Sequence, residues 1–147
     1  MSHYGVVHIL HLLCAVAFIG VVFFEVIILE GVREKLGSAL MPQIEAGIIS
    51  RAKKIMPWVV GTLFLSGIGL AYSHYSNLDS PFATSFGTML TIKIALALSV
   101  LVHFITAMRS AVSGCMTSAR FQRTHLSVFI HMLLIVILAK AMFYVHW

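Results

Sequence analysis

Eight histidines in 147 residues is a high usage, and most of them stand within or beside long apolar stretches: His8, His11, His74, His103, His125 and His131. Lys93 belongs with them, because the surrounding "MLTIKIALAL" holds no other charge. Ionisable groups among apolar residues are expensive and face a protein interior or a cavity, so they are the first place to look for chemistry. Neutral imidazoles on facing helices, inside a shell of aromatic and aliphatic side chains, suit the iron of a b-type haem. His11, His103 and His131 are the candidate metal ligands, His8 and His74 complete the candidate cofactor-binding set, and Lys93 is the candidate catalytic group beside a propionate or a substrate. Copper(I) is the alternative, since imidazoles and soft thioethers both bind it and eight methionines are present. Met89, Met108, Met132 and Met142 are scattered along the apolar runs, however, where packing is the simpler role. Zinc is disfavoured, because neither a paired-cysteine nor an HExxH motif occurs.

The elements that must position these groups follow from hydropathy. Hydrophobic residues make up 60% of the chain and charged residues 10%, with a mean hydropathy of +0.99. Ordinary soluble domains have roughly 45–50% apolar and about 25% charged residues. Disorder, a disulfide scaffold and a soluble enzyme are therefore excluded, and Cys14 and Cys115 are not expected to form a bridge. Four apolar runs, 4–29, 55–75, 86–108 and 125–144, are each long enough to cross about 30 Å of hydrocarbon as a helix. The first has no basic leader and no small-residue cleavage site, so it is not expected to be a cleaved signal. The expected fold is all-α: a single domain, 1–147, forming an integral-membrane antiparallel bundle of four transmembrane helices.

Charge orients the bundle. Eight of the ten Lys and Arg residues fall in the first connection (Arg33, Lys35, Arg51, Lys53, Lys54) or the third (Arg109, Arg120, Arg123). The second, from Ser76 to Ser85, has none and carries Asp79. The positive-inside rule then places connections one and three in the cytoplasm, both termini outside, and the protein in an inner membrane. Read this way, the basic residues are topology signals and nucleic acid is not a partner. Ser38 to Ile49 is expected to form a short interfacial helix, and Pro57 to lie in the first turn of the second span, where its missing N–H costs little. Thr62, Ser66, Gly69 and Ser73, with Gly61 and Gly67, form a small-residue stripe on span 2 that suits close helix packing and is the one feature bearing on a homodimer. No internal repeat is apparent.

Helix rise sorts the polar residues into layers. His8 is expected about 5 Å, His11 about 9 Å, Lys93 about 9–10 Å and His74 about 3 Å below the outer boundary. His103 and His131 fall at about 24 Å and about 21 Å, as an inner layer on two different helices. At about 100° per residue, His8 and His11 share a face of span 1, and Phe18 and Glu25 continue that stripe within about 40° of His11. Lys93 and His103 flank one side of span 3 with Val100 between them. His131 and Lys140 are about 180° apart, so His131 is assigned inward while Lys140 snorkels. His3, His125 and His146 read as solvated or interfacial, and Glu25 as meeting basic residues near the inner edge.

The first span, "HILHLLCAVAFIG", and the third, "TIKIALALSVLVHFITAMRS", resemble the HemJ-type protoporphyrinogen oxidases and the related CopD-like membrane proteins. The likeness lies in a helix-1 His with an aromatic about two turns later, then an early Lys and a later His–aromatic pair on helix 3. It implies a bound b haem, with His11 and Lys93 at the positions associated with function and His103 at the later His. The usual Trp after the helix-1 His is Phe18 here, and "FFEVIILEG" replaces the aromatic and basic signature at the end of that helix. Three activities are thus expected: electron transfer in the bilayer through one haem or two, with a quinone or redox-protein partner; HemJ-like oxidation of a porphyrinogen; or CopD-like handling of copper. A purely structural role for the histidines is the fourth.

Overall fold

The computed structural model describes residues 3–74 and 80–146, so Tyr75 and Asp79 lie outside the described residues. It consists of α1 (His3–Phe23), a π-helical segment (Phe24–Leu29), α2 (Glu30–Tyr72), α3 (Ser85–Val112) and α4 (Ser118–Ala141). No strand occurs among the described residues. Four rods, His3–Leu36, Ala39–Tyr72, Ser85–Val112 and Ser118–Ala141, are long and apolar enough to cross a membrane.

The first two rods are antiparallel, because the contacts between them pair residues whose numbers converge on the stretch between Leu36 and Ala39, where the chain reverses. Arg33 meets Glu45 across that reversal, His11 meets Leu63 and Ser66, and Val7 lies beside Gly69. The third and fourth rods form a second hairpin, in which Arg120 reaches Ser110 and His131 reaches Ser99. Their link is short: Gly114 takes the left-handed φ of 71° that a side chain would resist. Thr84 and Thr117 cap α3 and α4 by accepting from the backbone N–H groups of Gly87 and Arg120.

The two hairpins close on a core to which every rod contributes: Phe18 and Val22, Val60, Val100, and Val128 with Met132. Phe18 and Phe104 meet edge-on with ring centroids 6.4 Å apart. Most other large apolar side chains are exposed, among them Val16, Leu65, Ile68 and Val102. An outside more apolar than its polar content can wet is what a lipid-facing bundle requires.

The first connection departs from expectation. Ser38 to Ile49 is helical as expected, but as part of α2, whose helix extends beyond it in both directions. The reason is amphipathic: Met41, Ile44, Glu45, Ile48 and Ile49 recur at helical spacing, and Met41, only 1% exposed, packs against Leu29 and Phe121. Pro57 consequently lies inside a helix rather than in a first turn, leaving the Lys53 carbonyl without its helical donor. The fourth helix likewise begins at Ser118, ahead of the apolar run that starts at His125. On span 2, Ser66, Gly67 and Gly69 face α1 of the same chain, whereas Gly61 and Ser73 are exposed, so part of the stripe serves packing within the bundle.

The end of the bundle holding these extensions, here called the charged end, is tied by buried polar contacts. Glu45, 5% exposed, accepts from Arg33 and from the Ser118 hydroxyl at 2.6 Å. Arg33 also donates to Glu30, which accepts from Gln122 at 2.8 Å. One carboxylate thereby joins both hairpins. Glu45→Ala should lower stability by about 2 kcal/mol, since it removes two hydrogen bonds at once, one of them to a guanidinium that keeps only Glu30, whereas Ser118→Ala should cost about 1 kcal/mol. Thermal unfolding of the detergent-solubilised protein reads both, and equal effects would refute the central place given to Glu45.

Candidate functional site

In the lower half of the α3–α4 hairpin the sequence places Ser99 and Ser127 one helical turn before His103 and His131. Each imidazole folds back on its own helix: His103 Nδ1 lies 2.8 Å from the Ser99 carbonyl, and His131 Nδ1 lies 2.8 Å from the Ser127 carbonyl. A carbonyl only accepts, so both Nδ1 atoms carry the proton and both Nε2 atoms present lone pairs. Those lone pairs are met from the facing helix. Ser127 Oγ donates to His103 Nε2 at 3.2 Å, and Ser99 Oγ donates to His131 Nε2 at 3.2 Å. The rings are neighbours, with centroids 5.5 Å apart. Ser-x-x-x-His thus occurs on both helices, and the two copies close on each other across the antiparallel pair. The spacing Ser99/His103 and Ser127/His131 is the whole trace of this closure in the sequence.

The expected inner layer therefore exists, but its four ring nitrogens all have partners. As packed, neither His103 nor His131 offers a lone pair to a metal, and each would have to give up a serine to do so.

His11 is different. Its Nδ1 lies 3.0 Å from the Leu63 carbonyl and 3.2 Å from Ser66 Oγ, both on α2. Ser66 Oγ is itself within 2.7 Å of the Thr62 carbonyl, so it donates there and accepts from His11. Nδ1 is the donor and Nε2 is left with a lone pair that has no hydrogen-bond partner among the described residues. The half-buried ring sits over Gly67, where a Cβ would come within 3.2 Å of Cε1. The glycine makes the cradle in which this ring lies. Lys93, half-buried on α3, is close enough to act on His11 electrostatically, as is His8. The hydrogen bonds of His11 go to α2, not to His8 or Lys93. Lys93 has no hydrogen bond or ion pair among the described residues.

The remaining candidates are less engaged. His8 is exposed, its ring 5.9 Å from that of Tyr4. His74 lies against Phe86 with centroids 5.4 Å apart. Lys140 is exposed, as snorkelling predicts.

A further polar pair lies at the charged end. Glu25, in the π-helical segment, has a side chain only 3% exposed, and its Oε2 is 2.9 Å from His125 Nε2. His125, expected at the interface, instead meets this carboxylate; the stripe His11–Phe18–Glu25 is the sequence signal that Glu25 turns inward. No group of three or more His, Cys, Asp or Glu side chains that could hold a metal ion occurs among the described residues.

Against the requirements of a b haem, His11 meets two: Nδ1 donation to the Leu63 carbonyl fixes its tautomer, and Nε2 keeps a lone pair with no hydrogen-bond partner among the described residues. Comparison with protein-family models, with curated proteins and with solved structures returns no match.

The Ser–His contacts generate a quantitative expectation. In a double-mutant cycle with Ser127→Ala and His103→Ala, the coupling should be about 0.6–1.7 kcal/mol, the range of hydrogen bonds between helices in lipid. The Ser99/His131 cycle should give the same within error. Unfolding in mixed micelles measures both, and zero coupling in either would contradict the arrangement.

Proposed function

We propose that this multi-pass membrane protein binds one b-type haem per chain and carries electrons within the bilayer, with His11 as an axial ligand and Lys93 on a propionate. The observation that carries this reading is the imidazole of His11, fixed in tautomer by the Leu63 carbonyl and without a hydrogen-bond partner at Nε2 among the described residues. A bound haem would supply the one-electron chemistry. The chain's own part is to hold and tune. Donation from Nδ1 to a carbonyl raises the basicity of Nε2 and fixes the ring plane. Lys93, without a partner among the described residues, is a charge complement for a carboxylate. Phe18 and Phe104 close the interior with apolar surface.

The basic residues of the first and third connections meet at one end, where Lys53 donates to the Ala111 carbonyl and Arg120 to Ser110. By the positive-inside rule we place that end in the cytoplasm, both termini outside, and the chain in an inner membrane. The electron partner is then a membrane quinone or a redox protein. Because Lys93 would meet a porphyrinogen carboxylate as readily as a haem propionate, a HemJ-like porphyrinogen oxidase is the second reading of the same two residues.

Protein purified after expression with adequate haem should show a b-type reduced-minus-oxidised spectrum at one haem per chain. His11→Ala should abolish it, His103→Ala should retain it, and Lys93→Met should weaken haem retention roughly tenfold, about 1.4 kcal/mol. Absence of haem absorption overturns the proposal, and stoichiometric copper without haem would favour copper handling. Rescue of a strain lacking its own protoporphyrinogen oxidase, lost on Lys93→Met, would establish the enzymatic reading.

A further inference from the structure

The Glu25–His125 pair is not used by the function proposed above, and its geometry has a chemistry of its own. His125 Nδ1 lies 2.7 Å from the Phe121 carbonyl, so that nitrogen keeps a proton. Nε2 lies 2.9 Å from Glu25 Oε2, and this buried oxygen has no aligned hydrogen bond from any group among the described residues. Three occupancies of the contact can be compared. With no proton between them, a carboxylate faces an imidazole lone pair, and a negative charge is buried unpaired. With two, proton faces proton beside a buried cation. With one, the pair is neutral overall and the contact is attractive, whichever atom holds the proton more tightly. Burying an unpaired charge is costly enough to select the third state.

The surroundings point the same way. From α2, Lys53 faces the site, but its ammonium is held on the Ala111 carbonyl at 3.3 Å. Arg33 is taken by Glu30 and Glu45, and Arg123 on α4 is exposed. On α3 the facing residues are Phe104, Ala107, Met108 and Ala111, none of which titrates. His125 is therefore the group that balances Glu25.

Two cavities adjoin the pair. One, of about 340 Å³, is bordered by Glu30, Arg33, Gln122 and Arg123 at the charged end. The other, of about 80 Å³, runs inward between Phe18, Met56, Phe104 and Met108. Glu25, Phe121 and His125 line both. The larger cavity has the size and polar rim to hold water; the smaller is apolar. The wide turn of the π segment sets Glu25 between them.

We propose that Glu25 and His125 form a proton-binding site: one exchangeable proton shared between Oε2 and Nε2, gained from and lost to water in the larger cavity. Proton binding adds no covalent bond elsewhere; on release the proton passes to water and leaves the carboxylate and the neutral imidazole.

The full-length protein in nanodiscs, labelled with ¹⁵N-histidine, tests this without haem. At neutral pH the wild type should show either His125 protonated on both nitrogens with Glu25 ionised, or a protonated-carboxyl infrared band with Nε2 bare. In Glu25→Gln the second ring proton or the carboxyl band should be lost, while the His103 and His131 signals stay in place as a check on folding. In D₂O the wild-type band or ring signal should exchange within minutes. Glu25 ionised beside a neutral His125 in the wild type would overturn the site, as would a His125 signal unmoved by Glu25→Gln, or a proton that does not exchange. The wild-type spectra decide even where the variant fails to fold.

Discussion

An imidazole carried on a helix through hydrocarbon has two nitrogens to satisfy and no water to satisfy them. The internal histidines answer with one contact, Nδ1–H donated to a backbone carbonyl. His103, His125 and His131 use the carbonyl four residues earlier on their own helix, and His11 uses Leu63 on the facing one. That carbonyl already serves the helix, so its second lone pair is engaged at little cost. The remainder of each site follows from where Nε2 then points. At His103 and His131 it meets a serine, at His125 a carboxylate, and at His11 nothing among the described residues. One constraint, solved once at Nδ1, yields three distinct surroundings at Nε2.

Hydropathy is enough to read four helices. His103 and His131 were expected in one layer from rise alone, and their rings touch. The stripe His11, Phe18 and Glu25 was legible as well, because a spacing of seven returns a residue to nearly the same side of a helix; all three turn inward. Val100, expected between Lys93 and His103, is buried on that side of α3.

What was not legible has physical causes. Hydropathy reports where lipid is, not where helix ends, so the amphipathic stretch from Ala39 to Lys54 read as a connection although its period is helical. Pro57 was misplaced for the same reason. The pairing of Ser with His was missed because neither residue is unusual alone. Its meaning depends on the register of two helices, and register is set by the short turn at Gly114. His125 was set aside because a histidine beside Arg123 resembles an interfacial one until the partner on the first helix is seen.

The reciprocal Ser–His closure also bears on how the bundle is built. Sliding α3 against α4 by one turn would break both contacts together, so the second hairpin has a single seating. The first hairpin is keyed separately, by His11 on α2. The two then join largely through Phe18, Val22, Val60, Val100, Val128 and Met132, surfaces with no polar teeth. The seam between the hairpins is thus held by shape in its apolar middle and by direction only at the charged end, where Glu45 and Glu30 reach across it.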